Sequence, residues 1–244
     1  MTKKNWHSRL MAGLALCALA VLMFTMLVSA DEKNKKYTIK TVPGDYAIQA
    51  DVTLSGSGSG YHAKLLVCTA SAATSFGIQY DKHAAAPYTG KAAFMYENIL
   101  SNYRGGQKYG WYGQSALKTK VRLMLAFKKK SGKVTFYVNG YKMGSVKNKN
   151  LKNRQVYLRV EGSARKKGDK INAVFSNIKL KRAGKYQKKY PWKLRVFDTN
   201  KKIKSNISQF ASSRTITISG KIAGIGGDWD SNYGSVSGVV QFME

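Results

Sequence analysis

Three large aromatics, Tyr109, Trp111 and Tyr112, stand around Gly110 and Gly113 in a stretch, Ser101–Leu117, that is otherwise poor in aliphatic residues. Sugar rings present apolar faces that stack on aromatic rings, while their hydroxyls need polar neighbours. Gln107 and Gln114 flank the rings and could supply those contacts. The spacing reads as a glycan platform on a long loop, and loops of this length inside compact domains are usually functional or disordered. The competing reading is that the rings cap one open end of the fold. A second polar loop, Asp81–Gly90, gathers Asp81, Lys82, His83 and Tyr88. Asp81, His83 and Tyr88 join the platform as candidate carbohydrate-binding residues. An Asp–His pair can also ligate a metal or orient a proton transfer. Beyond residue 30, however, only His62 and His83 are present, too few for a His-rich metal site or a triad.

Asp228, Asp230 and Asn232 alternate as the oxygen ligands of a Ca²⁺ turn would. An EF-hand-type loop wants Gly and Glu where this sequence has Tyr233 and Val239, so a non-EF Ca²⁺ turn competes with an ordinary Asp/Asn-rich hairpin turn.

Charge dominates the composition. All 12 acids follow Ala30 and only Lys3, Lys4 and Arg9 of the 42 basic residues precede it, so the 214 residues from Asp31 carry +27. Basic residues cluster at Lys128, Lys129 and Lys130, at Lys147, Lys149, Lys152 and Arg154, and at Arg165, Lys166 and Lys167. Exposed clusters of this kind bind polyanions with salt-dependent affinity. The expected partner is carbohydrate, in particular an acidic glycan or a teichoic-acid-like envelope polymer. No nucleic-acid fold motif accompanies the clusters, so no specific nucleic-acid target is expected. A solvated, merely soluble basic surface is the bland alternative.

The elements that must position these residues begin after a leader. A basic start, the apolar run Leu10–Leu27 and small residues before Asp31 make residues 1–30 a secretory signal peptide. The expectation is a secreted or surface-associated protein with no stable membrane span once the signal is cleaved; an uncleaved anchor is the alternative. Cys68 is then the one remaining cysteine, so no intrachain disulfide is available, and it reads as a packed thiol.

Val121, Leu123, Leu125 and Phe127 alternate with Arg122, Met124, Ala126 and Lys128; after a Lys-Ser-Gly turn Val134, Phe136 and Val138 alternate again. Asn139-Gly140 supplies a type I′ turn, so Val121–Val146 is read as consecutive hairpins with its Val/Leu/Phe parity inward. Tyr37–Val42, Asp45–Leu54, Tyr61–Cys68, Thr74–Tyr80, Gln155–Gly162 and Ile171–Lys181 read as further strands. Lys91–Leu100 is left between strand and short helix. Ile171, Ala173 and Phe175 share one parity while Ile178 and Leu180 share the other, which requires a β-bulge near Ser176-Asn177. Trp192–Phe197, Arg214–Ile222 and Ser235–Phe242 add three strands, and Ile216-Thr-Ile-Ser-Gly220 echoes Val52-Thr-Leu-Ser-Gly56. The fold class is all-β, an antiparallel two-sheet jelly-roll sandwich over residues 31–183, with a small C-terminal β appendage over 184–244.

Phe136–Gly144, followed by Val156–Gly162 and Ala173–Lys179, resembles the central hairpin and closing strands of the concanavalin A-like lectin and glucanase superfamily, including its laminin-G-like members. The resemblance covers about residues 31–182 and implies a curved jelly roll whose concave face or edge loops bind carbohydrate. Glucanases of that superfamily carry Glu-x-Asp-x-(x)-Glu on one strand. Here Glu32, Glu97, Glu161 and Glu244 are far apart, with no Asp within two residues of Glu97 or Glu161. A non-catalytic, lectin-like role is the expectation. A structural or adhesive surface protein held by charge, or a divergent glycan-cleaving enzyme with carboxylates paired across strands, are the alternatives.

Overall fold

The hairpin at Asn139-Gly140 closes as its residue types dictate, both positions taking positive φ, 53° and 92°. A computed structural model of the chain describes residues 35–99, 108–166, 168–188, 194–198, 204–205, 214–221 and 238–242, with backbone alone for 194–198, 204–205, 221 and 238–239. The signal-peptide expectation lies outside the described residues. Among those residues every regular element is a strand: β1 (Tyr46–Ser57), β2 (Gly60–Cys68), β3 (Ala73–Asp81), β4 (Lys91–Ile99), β5 (Lys108–Gln114), β6 (Val121–Lys128), β7 (Lys133–Val138), β8 (Tyr141–Lys147), β9 (Tyr157–Ala164), β10 (Lys170–Arg182), β11 (Lys185–Tyr186), β12 (Leu194–Asp198), β13 (Lys204–Ser205), β14 (Ile216–Lys221) and β15 (Gly238–Phe242). Of the segment left ambiguous in sequence, Lys91–Ile99 is therefore a strand.

The strands form two antiparallel sheets. One runs β13-β14-β10-β1-β6-β7-β8 with β11 beside β10; the other runs β12-β15-β9-β2-β3-β4-β5. The C-terminal appendage takes the form of strands laid on the ends of both sheets, β14 on β10 and β15 on β9. Inward parities meet between the layers: Ile48, Ala50, Val52 and Leu54 of β1 and Leu123, Leu125 and Phe127 of β6 are buried with Ala63, Leu65 and Val67 of β2 and Phe76 and Ile78 of β3. Phe136 of β7 stacks on Phe76 of β3 at 5.0 Å and on Tyr96 of β4 at 5.3 Å, tying sheet to sheet.

The two echoed pentads occupy matching registers. Val52, Thr53, Leu54, Ser55 and Gly56 oppose Phe175 back to Ile171 on one side of β10, and Ile216 to Gly220 oppose the same five residues on the other. One inward-facing neighbour selected one alternation twice.

The expected bulge is present in β10: Gln49 faces Lys179 but Asp51 faces Ser176, leaving one extra residue at Asn177-Ile178. Asn177 has φ 51° and its Nδ2 donates to Asp51 Oδ2 at 2.7 Å. Tyr37–Val42, expected as a strand, is not one. Thr38 and Thr41 close a local turn through side-chain and backbone hydrogen bonds, and the segment lies as a strap on the outer face of the first sheet. There Tyr37, Ile39 and Val42 bury Ala47, Met124, Ala126 and Tyr137 in a second, smaller core. Met124 and Ala126 of the outward parity of β6 are thus buried too, because the strap covers them.

Asn148, fully buried, locks the β8–β9 loop to the second sheet. Its Nδ2 lies 3.1 Å from Ala73 O, 3.2 Å from Thr74 Oγ1 and 3.1 Å from Ile99 O. Removing that group strands buried acceptors without water. Asn148→Ala should cost about 1–3 kcal/mol, read as a lower midpoint in urea with an unchanged slope; a midpoint equal to wild type would show the loop needs no such anchor.

Candidate functional site

Alternation in the second sheet sends half of each strand away from the core, and on this protein that outer face is polar yet sheltered. His62 and Lys64 of β2, Ser75 and Gln79 of β3, and Ser163 of β9 are all buried. Directly opposed residues in an antiparallel ladder share a face, so β9, β2, β3 and β4 contribute one continuous row. Glu161 opposes Lys64, Lys64 opposes Gly77, and Glu97 opposes Ser75. The Lys64 ammonium, 1% exposed at its side chain, donates to Glu97 Oε2 at 2.8 Å, and Ser75 Oγ donates to the same oxygen at 3.3 Å. Gly77 is required between them: a Cβ there would collide with the backbone of Ala63 and Lys64.

Toward the β4–β5 edge this face opens into a groove of about 270 Å³. Gln79 and Glu97 lie along its floor with Met95, Asp81 and Arg165 close one end, and Tyr109 and Trp111 form the far wall. Asp81 Oδ1 accepts from Arg165 Nη1 at 2.6 Å and from the His83 backbone N–H at 2.8 Å, so the ion pair also holds the start of the Asp81–Gly90 loop. Gln79 is 4% exposed and its Oε1 is buried without a hydrogen-bond partner. A buried carbonyl left unpaired costs free energy that a donor from a ligand can recover.

From Lys108 to Gln114 the aromatic stretch is strand, not loop. Met95 opposes Trp111 but Ala93 opposes Gln114, so β5 carries one extra residue at Tyr112-Gly113, with Gly113 at φ 82°. That bulge breaks the alternation and hides the strand in sequence. It also sorts the platform. Trp111 and Gln114 share the outer face, whereas Tyr112 turns inward against Phe76, Tyr96 and Phe136. Tyr112 is therefore a core aromatic, and Gln114 lies on the same face beyond the groove lining. Trp111 stacks on Tyr88 with centroids 5.1 Å apart and planes 19° apart, and the Tyr88 hydroxyl accepts from Gly113 N–H at 3.4 Å. The structure thus brings Asp81, His83, Tyr109 and Trp111 to one groove, with Tyr88 stacked on Trp111. Gln107, and the Ca²⁺ candidates Asp228, Asp230 and Asn232, lie outside the described residues.

Gln79, Glu97, Met95 and Lys64 were not singled out from sequence. Their signal was present as parity: Ser75, Gly77, Gln79 and Asp81 alternate with Phe76, Ile78 and Tyr80, marking a polar outer face. Arg165, expected on the polyanion surface with Lys166 and Lys167, is 6% exposed and held on Asp81. It extends β9, its N–H donating to Gly60 O, and so belongs to the groove; Lys167 lies outside the described residues.

The other basic clusters do converge. Lys128 opposes Lys133 and Lys133 opposes Lys147, a row of three lysines across β6, β7 and β8. The Asn148 N–H donates to Gly132 O and the Asn153 N–H to Lys129 O, which draws Lys129, Lys130, Lys149, Lys152 and Arg154 to the same end of the sandwich. Directly opposed like charges are destabilising. The nearby carboxylate of Asp45 accepts from the Lys129 backbone N–H at 2.7 Å.

Burial alone would raise the Glu97 pKa, but Lys64 and His62, with hydrogen bonds from Lys64 and Ser75, bring it below the ordinary carboxylate value. Glu97 is ionised at neutral pH. His62 is pushed down, first by burial and then by Lys64, against the opposing pull of Glu161 and Glu97. As neutral imidazole, its Nε2–H donates to Glu161 Oε1 at 2.8 Å. Burial lifts the Cys68 thiol to about 11, leaving it inert.

No protein-family model and no curated protein matches the chain. Among solved structures it is similar to SCP-B, a member of the eqolisin family of peptidases, in complex with the tripeptide Ala-Ile-His: 11% identity, 72% of this chain and 93% of that chain covered, TM-score 0.44. It is also similar to the kappa-carrageenase from Pseudoalteromonas carrageenovora in complex with an oligotetrasaccharide of kappa-carrageenan: 11% identity, 82% of this chain and 65% of that chain, TM-score 0.33. At these values neither likeness speaks to the chemistry of this chain.

The depressed His62 pKa has a sign in stability. Above its ordinary value of 6.5 both folded and unfolded forms are neutral; below it the unfolded chain takes up the proton first, so stability falls with falling pH. Thermal melts between pH 7.5 and pH 5 should show this loss, and His62→Gln should flatten it. An equal loss in the variant would remove His62 as its source.

Proposed function

We propose that the groove binds carbohydrate without cleaving it, in a lectin-like module of the concanavalin A-like type, and that the lysine-rich end favours acidic glycans or teichoic-acid-like envelope polymers. The observation that carries the reading is Gln79. Gln79, whose amide oxygen is buried with no partner, lines a groove together with Tyr109 and Trp111, and Tyr88 stacks on Trp111. A sugar supplies both what the rings and what the amide lack, an apolar ring face and a hydroxyl donor. Retaining or inverting hydrolysis needs a carboxylic acid held protonated to serve the leaving group. Glu97 is held in the opposite state by Lys64, and Asp81 is committed to Arg165. A secreted or cell-surface location suits a chain whose strong basic charge seeks anionic polymers.

A second reading, a structural or adhesive protein held at an anionic surface, draws on the Lys128–Lys133–Lys147 row. The two readings separate by experiment. On a glycan array at low and high salt, Trp111→Ala should weaken binding about 3–10-fold, and Gln79→Leu by about fivefold, both largely independent of salt. Binding untouched by either change would sink the groove. Lys133→Gln with Lys147→Gln should elute from heparin at lower salt while leaving neutral-glycan binding alone. Elution at an unchanged salt concentration would reduce the row to ordinary surface.

A further inference from the structure

On the opposite side of the molecule, the strap at residues 36–40 roofs a recess of about 240 Å³ over the outer face of the first sheet. Its floor comes from three strands. Gln49 of β1 opposes Lys179 of β10, and Arg122 of β6 opposes Asp51. Its roof and rim carry Lys36, Lys40 and Tyr186. Among the described residues no carboxylate lines the recess. The acid nearest in register, Asp51, accepts from Arg122 Nε at 2.7 Å and from Asn177 Nδ2 at 2.7 Å, so both its oxygens are engaged. Lys36, Lys40 and Lys179 form no ion pair among the described residues. The Lys36 chain lies against Gly140, where a Cβ would strike its Cγ at 2.7 Å, and the Lys40 ammonium stands 5.7 Å from the centre of the Tyr186 ring.

Lys36, Lys40 and Lys179 around one recess repel one another, with Arg122 beside them offset by Asp51, and the repulsion grows as walls exclude water. The fold does not disperse them: the strap is pinned over the sheet by its own apolar core and by the Tyr37 N–H donating to Gly140 O. Such a concentration of positive potential, with Gln49 on the floor as a neutral hydrogen-bonding group, suits a compact anion with oxygens pointing several ways.

We infer that the recess beneath the strap is a binding site for a tetrahedral oxyanion, phosphate or sulfate, free or carried on a sugar or polymer. This site is separate from the groove and does not depend on it. It gives the protein a second point of attachment on its other face, selective for esterified rather than neutral glycan.

The test uses the full-length chain and inorganic salts. At matched ionic strength, sodium phosphate or sulfate at several times its dissociation constant should raise the melting temperature about 2–4 °C above sodium chloride. Lys179→Gln and Lys40→Gln should each abolish most of that difference, and their anion-free melting temperatures should match or exceed wild type because repulsion is relieved. If Lys179→Gln melts lower without anion, the exposed Lys40→Gln carries the test. Lys133→Gln should keep the full response. A response no larger than that to chloride, one preserved in both Lys179→Gln and Lys40→Gln, or one lost only in Lys133→Gln would overturn the assignment. So would a larger response to acetate than to phosphate and sulfate. Comparable shifts from phosphate and sulfate support a general oxyanion site, and a preference between them names the ester it takes.

Discussion

Carboxylates are the scarce resource of this molecule: 12 of them stand against 42 Lys and Arg residues. The six whose side chains are described are all engaged inside the fold. Asp169 accepts from Ser59 N and Oγ, Gly60 N and Lys166 N, holding the β1–β2 turn against the start of β10. Asp51 holds the β10 bulge through Asn177 and the β6 strand through Arg122. Asp45 anchors the β6–β7 turn, Asp81 the groove end, Glu97 the buried lysine and Glu161 the buried histidine. Each carboxylate fixed inside the structure is one fewer to neutralise the exterior. The basic surface and the ordered interior are therefore two results of a single allocation.

The same allocation makes the two faces of the sandwich chemically unlike. On the second sheet, His62, Lys64 and Arg165 each meet a carboxylate, and the groove is polar, with rings on one wall. On the first sheet, Lys128, Lys133 and Lys147 at one end, Lys36 and Lys40 on the strap and Lys179 beneath it meet no matching acid among the described residues. A polar groove rewards shape and hydrogen bonding; an unmatched cationic surface rewards charge.

Much of the architecture was legible because period-two alternation is a local property. The Val121–Val146 hairpins, the β10 bulge and the echoed pentads flanking β10 all follow from residues read a few positions at a time. The failures have an equally local cause. An extra residue at Tyr112-Gly113 scrambled the parity of β5, so a strand looked like a loop and a core tyrosine looked like a binding residue. At Tyr37–Val42 a Thr-x-x-Thr turn outweighed β propensity. The groove was half visible. Asp81, His83, Tyr88, Tyr109 and Trp111 stood out by type, whereas Gln79, Glu97 and Lys64 matter only through neighbours on other strands. Parity says that such residues face outward; register says that they meet, and register is not written in any single segment.

The central position of β1, between β6 and β10, has a consequence for the order of events. β1 forms near one end of the chain, yet one of its ladders is completed only by β10, and β10 and β9 in turn receive β14 and β15. Pairings so distant in sequence close slowly, because loop entropy must be overcome before the contacts that reward it exist. An emerging chain therefore holds β1 without its β10 partner until Arg182 has been made. Its many like charges repel over that interval and oppose collapse and sticking between chains. The positive charge crowded on the finished protein thus also serves to keep unfinished chains apart.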